Sequence, residues 1–491
     1  MPSAPNPVPD LRLRTLNEKP RHPSGAFVLY WMTAFRRRGY NFALQRAVER
    51  SREMGKPLLV LEALRAGYPW ACDRFHAFLL QGMQENLRAF AQGRVRYYPY
   101  VESAPGEGKG LLEALAAKSC CVVTDDSPAF FLPRMIAAAA EKLSVAAEAV
   151  DSNGLLPMLA APGVFPTAYA FRRFLQKTLR EHLAAFPAAD PLAKYGAGLA
   201  EVPAEVLSGW PPADARLFSG RTADLAGLPI DHGVVPAGMK GGEMPARRAM
   251  EAFVGARLDR YAEDRNQPEL DAASGLSPYL HFGHLSSHEI FEAVAEREGW
   301  SSEHLPMKAT GSRSGWWGMS VSAEAFVDQL TTWRELGFNA AVHLPGGDRY
   351  ESLPAWALRT LEKHAPDRRV HLYTLEQFEG ARTHDALWNA AQRQLVREGR
   401  MHNYLRMLWG KKILEWSPSP EAALDTMLHL NNKYALDGRD PNSISGIFWT
   451  LGRYDRPWGP ERPIFGTIRY MSSENTARKV RVKAYLERYS E

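Results

Sequence analysis

Along the first 190 or so residues, short uninterrupted apolar runs alternate with segments whose apolar positions recur every three or four residues. The run AFVLYWM (26–32), aromatic and β-branched, predicts a strand, and NFALQRAVERSREMG (41–55) after it predicts a helix. PLLVLEAL (57–64) and VRYY (95–98) predict further strands, GLLEALAAK (110–118) a helix, and CCVVTDD (120–126) a strand that ends in two aspartates. Strand and helix in strict alternation predict an α/β unit of Rossmann-like type, a parallel sheet with helices on both faces. Ligands in such sheets sit at the carboxyl ends of the strands, but neither GxGxxG nor GxxxxGK[ST] occurs here, so nothing in this half specifies a ligand.

From Pro187 to Gly242 the pattern dissolves into Pro, Gly, Ala and Asp (PAADPLAKYGAGL, GWPPADARL, LPIDHGVVPAGMKGG), as expected of a long surface connection. Beyond it almost every segment has helical spacing: 246–264, 285–298, 323–339, 385–399, 402–416 and 420–434. The expected organisation is an N-terminal lead (1–24), flexible and proline-rich, and an α/β domain (25–186). A linker (187–242) then leads to an all-α domain (243–491). Residues 300–319, WSSEHLPMKATGSRSGWWGM, read as a Ser/Gly-rich loop between helices.

Composition narrows the function classes. With 491 residues and 45% hydrophobic positions, the chain fills at least two domain-sized cores. Three cysteines, two of them adjacent (Cys120, Cys121), make neither a disulfide framework nor a spaced metal site, so no metal is expected. No run approaches 18 apolar residues and the N-terminus lacks a signal-peptide core, so a soluble monomer is expected, without membrane partners and in a reducing compartment. That means the cytoplasm of a bacterial-type cell or, in a eukaryote, the nucleus. A net charge of +5 permits a polyanionic partner without requiring one.

The chemistry concentrates in the helical half, which holds ten of the thirteen tryptophans. Trp409 and Trp416 lie two helical turns apart, about 10 Å along one face, amid Arg400, Arg406, Lys411 and Lys412. Core packing explains any single buried indole; aligned indoles also suit electron transfer between a redox cofactor and the surface. In 261–286, Tyr261 and Arg265 precede a polar loop, and Ser274 and Ser277 lead into Pro278 at a new helix start. Free N–H groups there suit a diphosphate as well as an ordinary cap. In 430–471, amides, aspartates and arginines interleave with Trp449, Tyr454 and Trp458, a composition that suits a planar cofactor or an extruded base.

The strings YAEDRN, LSPYLHFGH, WREL, THDALWNAAQ, EGRMHNYLRMLWGKKILEW, LDGRDPN, GRYDRPW and FGTIRYM together resemble the class II branch of the photolyase and cryptochrome family. The resemblance is dense from Ala246 onward and thinner before it, where YWM and RGYNFAL are similar to the family's opening strand and helix. It implies a flavoprotein that binds bent FAD and uses blue light to split cyclobutane pyrimidine dimers in DNA. Electrons would pass from photoexcited reduced FAD to the flipped-out lesion and return. UV-damaged DNA is the implied partner, and an antenna chromophore of deazaflavin or folate type is left open.

Carried over by position, the resemblance implies that Tyr261 and the stretch Ser274, Gly275, Leu276, Ser277 hold the FAD phosphates and ribityl chain. Asn431 would face flavin N5, with Asn442 as the other amide for that role and Asp437 nearby. Trp388, Trp409 and Trp416 match the electron-transfer tryptophans. Trp333 and Trp449 match indoles that flank the lesion, and Arg265, Asp455, Arg456 and Arg469 match lesion- and duplex-contacting positions. Where the family carries an active-site glutamate, this chain has Gln329, whose amide donates a hydrogen bond but no proton. Two alternatives stay open: a cryptochrome-like photoreceptor or repair of another photoproduct, and a nucleic-acid-binding protein without chemistry. The chain ends about 20 residues beyond IRYM, without the signalling tail a receptor would be expected to carry.

Overall fold

The structure, a computed structural model, describes residues 7–490. It divides into two compact units that interleave along the chain. One comprises the residues up to Pro162, Thr178–Ala252 and Leu276–Arg297; the other comprises Gly163–Lys177, Phe253–Gly275 and Glu298 onward.

The first unit is built on six strands: β1 (Leu13–Thr15), β2 (Phe27–Met32), β3 (Leu58–Leu64), β4 (Arg96–Val101), β5 (Ser119–Asp125) and β6 (Ala147–Val150), in the order β1-β6-β5-β2-β3-β4. All pairings are parallel except β1 with β6. The helices α1 (Phe42–Met54), α2 (Asp73–Gln92), α3 (Leu111–Ala116) and α4 (Leu132–Lys142) connect them. Successive residues of β2 serve opposite cores. Val28 and Tyr30 pack with Phe42, Leu44 and Val48 of α1, while Phe27 and Leu29 pack with Leu111 and Leu115 of α3 and Ile136 of α4. A strand buried on both faces has no polar alternation, which is why these runs read as continuously apolar.

Two expectations about boundaries change. Within the 1–24 lead, residues 1–6 lie outside the described residues, but Leu13–Thr15 form an edge strand and Arg12 is buried, bonded to the carbonyls of Gly154 and Leu155 at 3.1 and 2.8 Å. The 187–242 stretch is not a bare connection either. Val206, Phe218 and Leu225 are buried, and the Trp210 Nε1–H donates to the Glu107 carbonyl at 2.8 Å. Its scattered single apolar residues leave no periodic signal. The two terminal aspartates of CCVVTDD have structural work: Asp125 accepts the backbone N–H groups of Thr33, Ala34 and Phe35 at 2.6–2.9 Å and the Tyr30 hydroxyl at 2.7 Å, closing the turn after β2. Asp126 pairs with Arg14 at 2.6 Å.

In the second unit no strand is found among the described residues; helices carry it. Those that position the site are α5 (Arg334–His343), α6 (Ala386–Glu398), α7 (Asn403–Trp416), α8 (Pro420–Tyr434) and α9 (Pro441–Thr450). Asp385 caps α6 through the Trp388 N–H, Ser419 caps α8 and Asp440 caps α9, each an Asp or Ser at a helix start. The helix Val321–Val327 widens into a π-helical turn over Asp328–Trp333 before continuing as α5. Among the described residues no helix is long and apolar enough to cross a membrane, and no cluster of His, Cys, Asp and Glu could hold a metal ion.

Candidate functional site

Close approaches of backbone assemble the site. A Cβ on Gly337 of α5 would fall 2.8 Å from the Asn442 Cα, and one on Gly410 of α7 would fall 2.7 Å from the Thr450 side chain of α9. Glycine at these two positions lets α5 and α7 both press against α9, the helix that carries Asn442 and Trp449. A Cβ on Gly438 would meet the Asn431 carbonyl at 2.3 Å, so the loop between α8 and α9 folds back onto the end of α8.

That fold-back builds a buried amide cluster. Asn431 Nδ2 donates to the Gly438 carbonyl at 2.6 Å and to Ser443 Oγ at 3.2 Å, and Ser443 returns a bond to Asn431 Oδ1 at 3.3 Å. Arg406 reaches Ser443 at 3.1 Å and Asp437 at 3.5 Å, and Asn442 sits half-buried on the first turn of α9. Asn431 and Asp437 are thus joined through Ser443 and Arg406, with Asn442 preceding Ser443 on α9. Nearby in sequence, His402 is buried, and burial pushes its pKa down to about 4 against the pull of Asp271 and of a hydrogen bond with the Arg265 backbone. Sequence reasoning missed it, although the MHN string was inside the quoted motif.

Tyr261 is buried, and the Arg265 guanidinium lies over its ring at 5.5 Å. Arg265, expected on the duplex, therefore sits with Tyr261. Gly275 takes a φ of 71°, a conformation glycine supplies without strain. Ser274 and Gly275 fall in the second unit; Leu276 and Ser277 fall in the first, where Ser277 opens a five-residue helix.

The three indoles form a connected series, in a different order from the one spacing suggested. Trp388 of α6 links the two on α7: its Nε1–H donates to the Trp409 carbonyl at 3.1 Å, and its ring meets Trp416 edge-on at 6.0 Å between centroids. Trp409 donates to Gln392 at 2.9 Å. All three are at most 2% exposed. The cations around them are committed internally. Arg400 pairs with Asp271 and Glu398, Arg406 with Asp437, and Lys412 with Glu415. Lys411 is buried, bonds the Thr450 carbonyl, and is pushed down to about 7 by burial, against the pull of Asp455.

Trp333, at the end of the π-helical turn, and Trp449 of α9 stack on each other at 4.9 Å and 29°. The structure thus brings the two indoles expected at the lesion into direct contact. Gln329 is half-buried on the same turn, and its neighbour Asp328 is held by Arg172 at 2.7 Å. Beyond α9, Asp455 accepts from the Arg456 N–H at 2.9 Å and from the Trp458 indole at 3.0 Å. Trp458 is 38% exposed, and the guanidiniums of Arg456 and Arg469 lie 5.1 and 5.2 Å from its ring. An exposed indole between two guanidiniums is a cationic, stacking-competent surface. The sequence placed Trp458 in a candidate stretch but gave it no role, because nothing local showed that both arginines converge on it.

No protein-family model matches the chain. It is 32% identical over 477 residues, 97% of each chain, to the deoxyribodipyrimidine photo-lyase of Methanothermobacter thermautotrophicus. It is 35% identical over 491 aligned residues, 97% of this chain and 89% of the relative, to the protein of that name from Oryza sativa subsp. japonica. To the one from Potorous tridactylus it is 33% identical, over 95% of this chain and 82% of the relative. Among solved structures, a bacterial class III photolyase from Agrobacterium tumefaciens shares the fold, with a TM-score of 0.64 at 17% identity over 95% of this chain and 86% of that one.

Proposed function

Because the chain belongs to the photolyase family, we propose that it is a light-driven deoxyribodipyrimidine photo-lyase of the class II type, acting on cyclobutane pyrimidine dimers in DNA with FAD as its cofactor. The residues present fit a flavin: the buried Asn431 amide and Ser443 hydroxyl stand with Arg406 and Asp437 in one polar cluster. Tyr261 and Ser274–Ser277 would hold the phosphates and ribityl chain, Asn431, Asp437 and Asn442 the ring system, and Arg265 would contact the lesion or duplex. FAD, when bound and reduced, supplies an electron donor that blue light excites.

The chain's own residues do the rest. Trp409, Trp388 and Trp416 offer a relay toward the surface, each indole screened from water and linked to the next. The stacked Trp333–Trp449 pair carries the repair reading. Extruding a dimer costs a few kcal/mol, and an aromatic wall returns about 1–3 kcal/mol per base. Gln329 donates a hydrogen bond beside that wall without giving up a proton. Arg456, Trp458 and Arg469 form a cationic surface for the duplex, together with Asp455, which fixes Trp458.

Gln329 also favours a second reading, a flavin photoreceptor or a lyase for another photoproduct, since an amide replaces the carboxyl expected there. One experiment separates them: purified protein carrying reduced FAD is given a dimer-containing oligonucleotide under blue light, and intact pyrimidines are counted. Repair with about one FAD per chain is expected. Protein that binds FAD but splits no dimers would transfer the assignment to the second reading.

A further inference from the structure

The indole series does not stop at Trp416. Its ring meets Tyr373 edge-on at 5.6 Å and His384 at 5.0 Å, closer than its own 6.0 Å contact with Trp388. The Tyr373 N–H donates to the Trp416 carbonyl at 3.2 Å, which fixes the phenol against the end of α7. The Tyr373 hydroxyl lies 2.6 Å from His384 Nδ1, and its oxygen also accepts the His384 backbone N–H at 3.1 Å. In the tautomer that carries its proton on Nε2, His384 Nδ1 accepts the phenol proton. Trp416 is 2% exposed, Tyr373 half-buried and His384 exposed, so the three groups grade from the interior to water.

We propose that Tyr373 and His384 are the outer terminus of the electron path, where a hole on Trp416 passes to the Tyr373 phenol as the phenol proton moves to His384 Nδ1. The proposal rests on the flavin-and-tryptophan reading above, with light-excited flavin as the one-electron oxidant of the indole series. The step balances. The oxidised Trp416 indole gains one electron and becomes neutral, Tyr373 loses one electron and one proton to become a neutral phenoxyl radical, and His384 becomes an imidazolium. The positive charge leaves the buried indole for an exposed ring. A neutral radical at the surface is not drawn back by charge and stands open to a soluble reductant.

The surroundings of His384 favour an acceptor. His371 stacks on it at 3.8 Å, Asp385 follows it in the chain, and Lys412 and Glu415 face it from α7. Partial burial, helped by His371 and Lys412 against the two carboxylates, holds its pKa below the ordinary imidazole value, so at neutral pH the ring is free to take a proton.

The test is flash photolysis of the flavin-loaded full-length protein, followed by transient absorption and electron paramagnetic resonance. Wild type is expected to show a tryptophan radical that decays into a neutral tyrosyl radical, with a yield that falls as acid protonates His384. Tyr373→Phe, nearly isosteric, should abolish the tyrosyl signal and shorten the charge-separated lifetime. His384→Gln should slow tyrosyl formation by about a hundredfold, the low end of what a positioned proton acceptor contributes, and remove the pH dependence. A tryptophan radical with no tyrosyl radical in wild type, or a tyrosyl yield indifferent to His384→Gln, overturns the proposal alone. No tryptophan radical at all overturns the flavin reading, and this proposal with it.

Discussion

Lys411 shows how a single buried charge becomes measurable. Its ammonium has been taken out of water with the Thr450 carbonyl as partner, and its pKa in the fold is pushed down to about 7 from an ordinary 10.5. A cation whose pKa falls on folding is still protonated in the unfolded chain between those two values. Stability should therefore rise with pH across that window, by up to about 1.4 kcal/mol per pH unit, and show no such slope below pH 7. Denaturant unfolding of wild type and Lys411→Met from pH 7 to 9.5 isolates this slope, because other titrations cancel in the difference; parallel curves would refute it. At Gln329 the expected change is chemical. Gln329→Glu restores a proton donor beside the Trp333–Trp449 wall and should leave the repair quantum yield equal or higher, so a several-fold loss would contradict the role assigned to that side chain.

At the level of elements, the approach of α5 to α9 makes a sharp demand. The Cβ of Gly337→Ala would sit 2.8–2.9 Å from backbone atoms of Pro441 and Asn442, which cannot swing aside as a side chain can. Overpacking of this kind costs about 1–3 kcal/mol, and thermal unfolding should show it together with an altered flavin absorption spectrum if Asn442 touches the ring. The sequence WRELGFN announced a helix there but not that its glycine was the point of contact. The same division runs through the molecule. Strands β2, β3 and β5 were legible because burial on both faces leaves unbroken apolar runs. β1 and β6 were not: LRT has one apolar residue, and AEAV carries Glu148, which is affordable only because Arg46 and Arg50 from α1 reach it at 3.0 and 2.7 Å. Trp409 and Trp416 could be picked out by spacing, and the family resemblance pointed to Trp333, Trp388 and Trp449. That Trp388 bridges the two on α7, that Trp333 stacks on Trp449, and that Trp458 lies between two arginines are facts of helix and loop packing, which local pattern does not encode.

For the whole molecule, a net charge of +5 says little about DNA, because the sequence's conspicuous cations on α7 turn out to be neutralised at home. The duplex surface should instead depend on a few side chains around Trp458. Arg469→Ala should weaken binding to damaged and undamaged duplex alike and reduce the slope of log affinity against log salt by about one. Trp449→Ala should cost about 1–3 kcal/mol on dimer-containing DNA only. Fluorescence titrations at several salt concentrations distinguish the two, and equal losses on both substrates for Trp449→Ala would remove it from the lesion site.

The interleaving of the two units bears on how the protein is made. Arg172 belongs to the second unit, and its buried ion-pair partner Asp328 lies 156 residues further on. A ribosome adding about 5–20 residues per second needs roughly 8 to 30 seconds to supply that partner. During that interval the guanidinium and the apolar residues beside it wait on an unfinished chain. A fragment that starts near residue 243 lacks Gly163–Lys177 altogether and would leave Asp328 buried without its counter-charge. Birth from the ribosome, rather than thermal unfolding of the finished protein, is thus where this architecture is most exposed to chaperones and proteases.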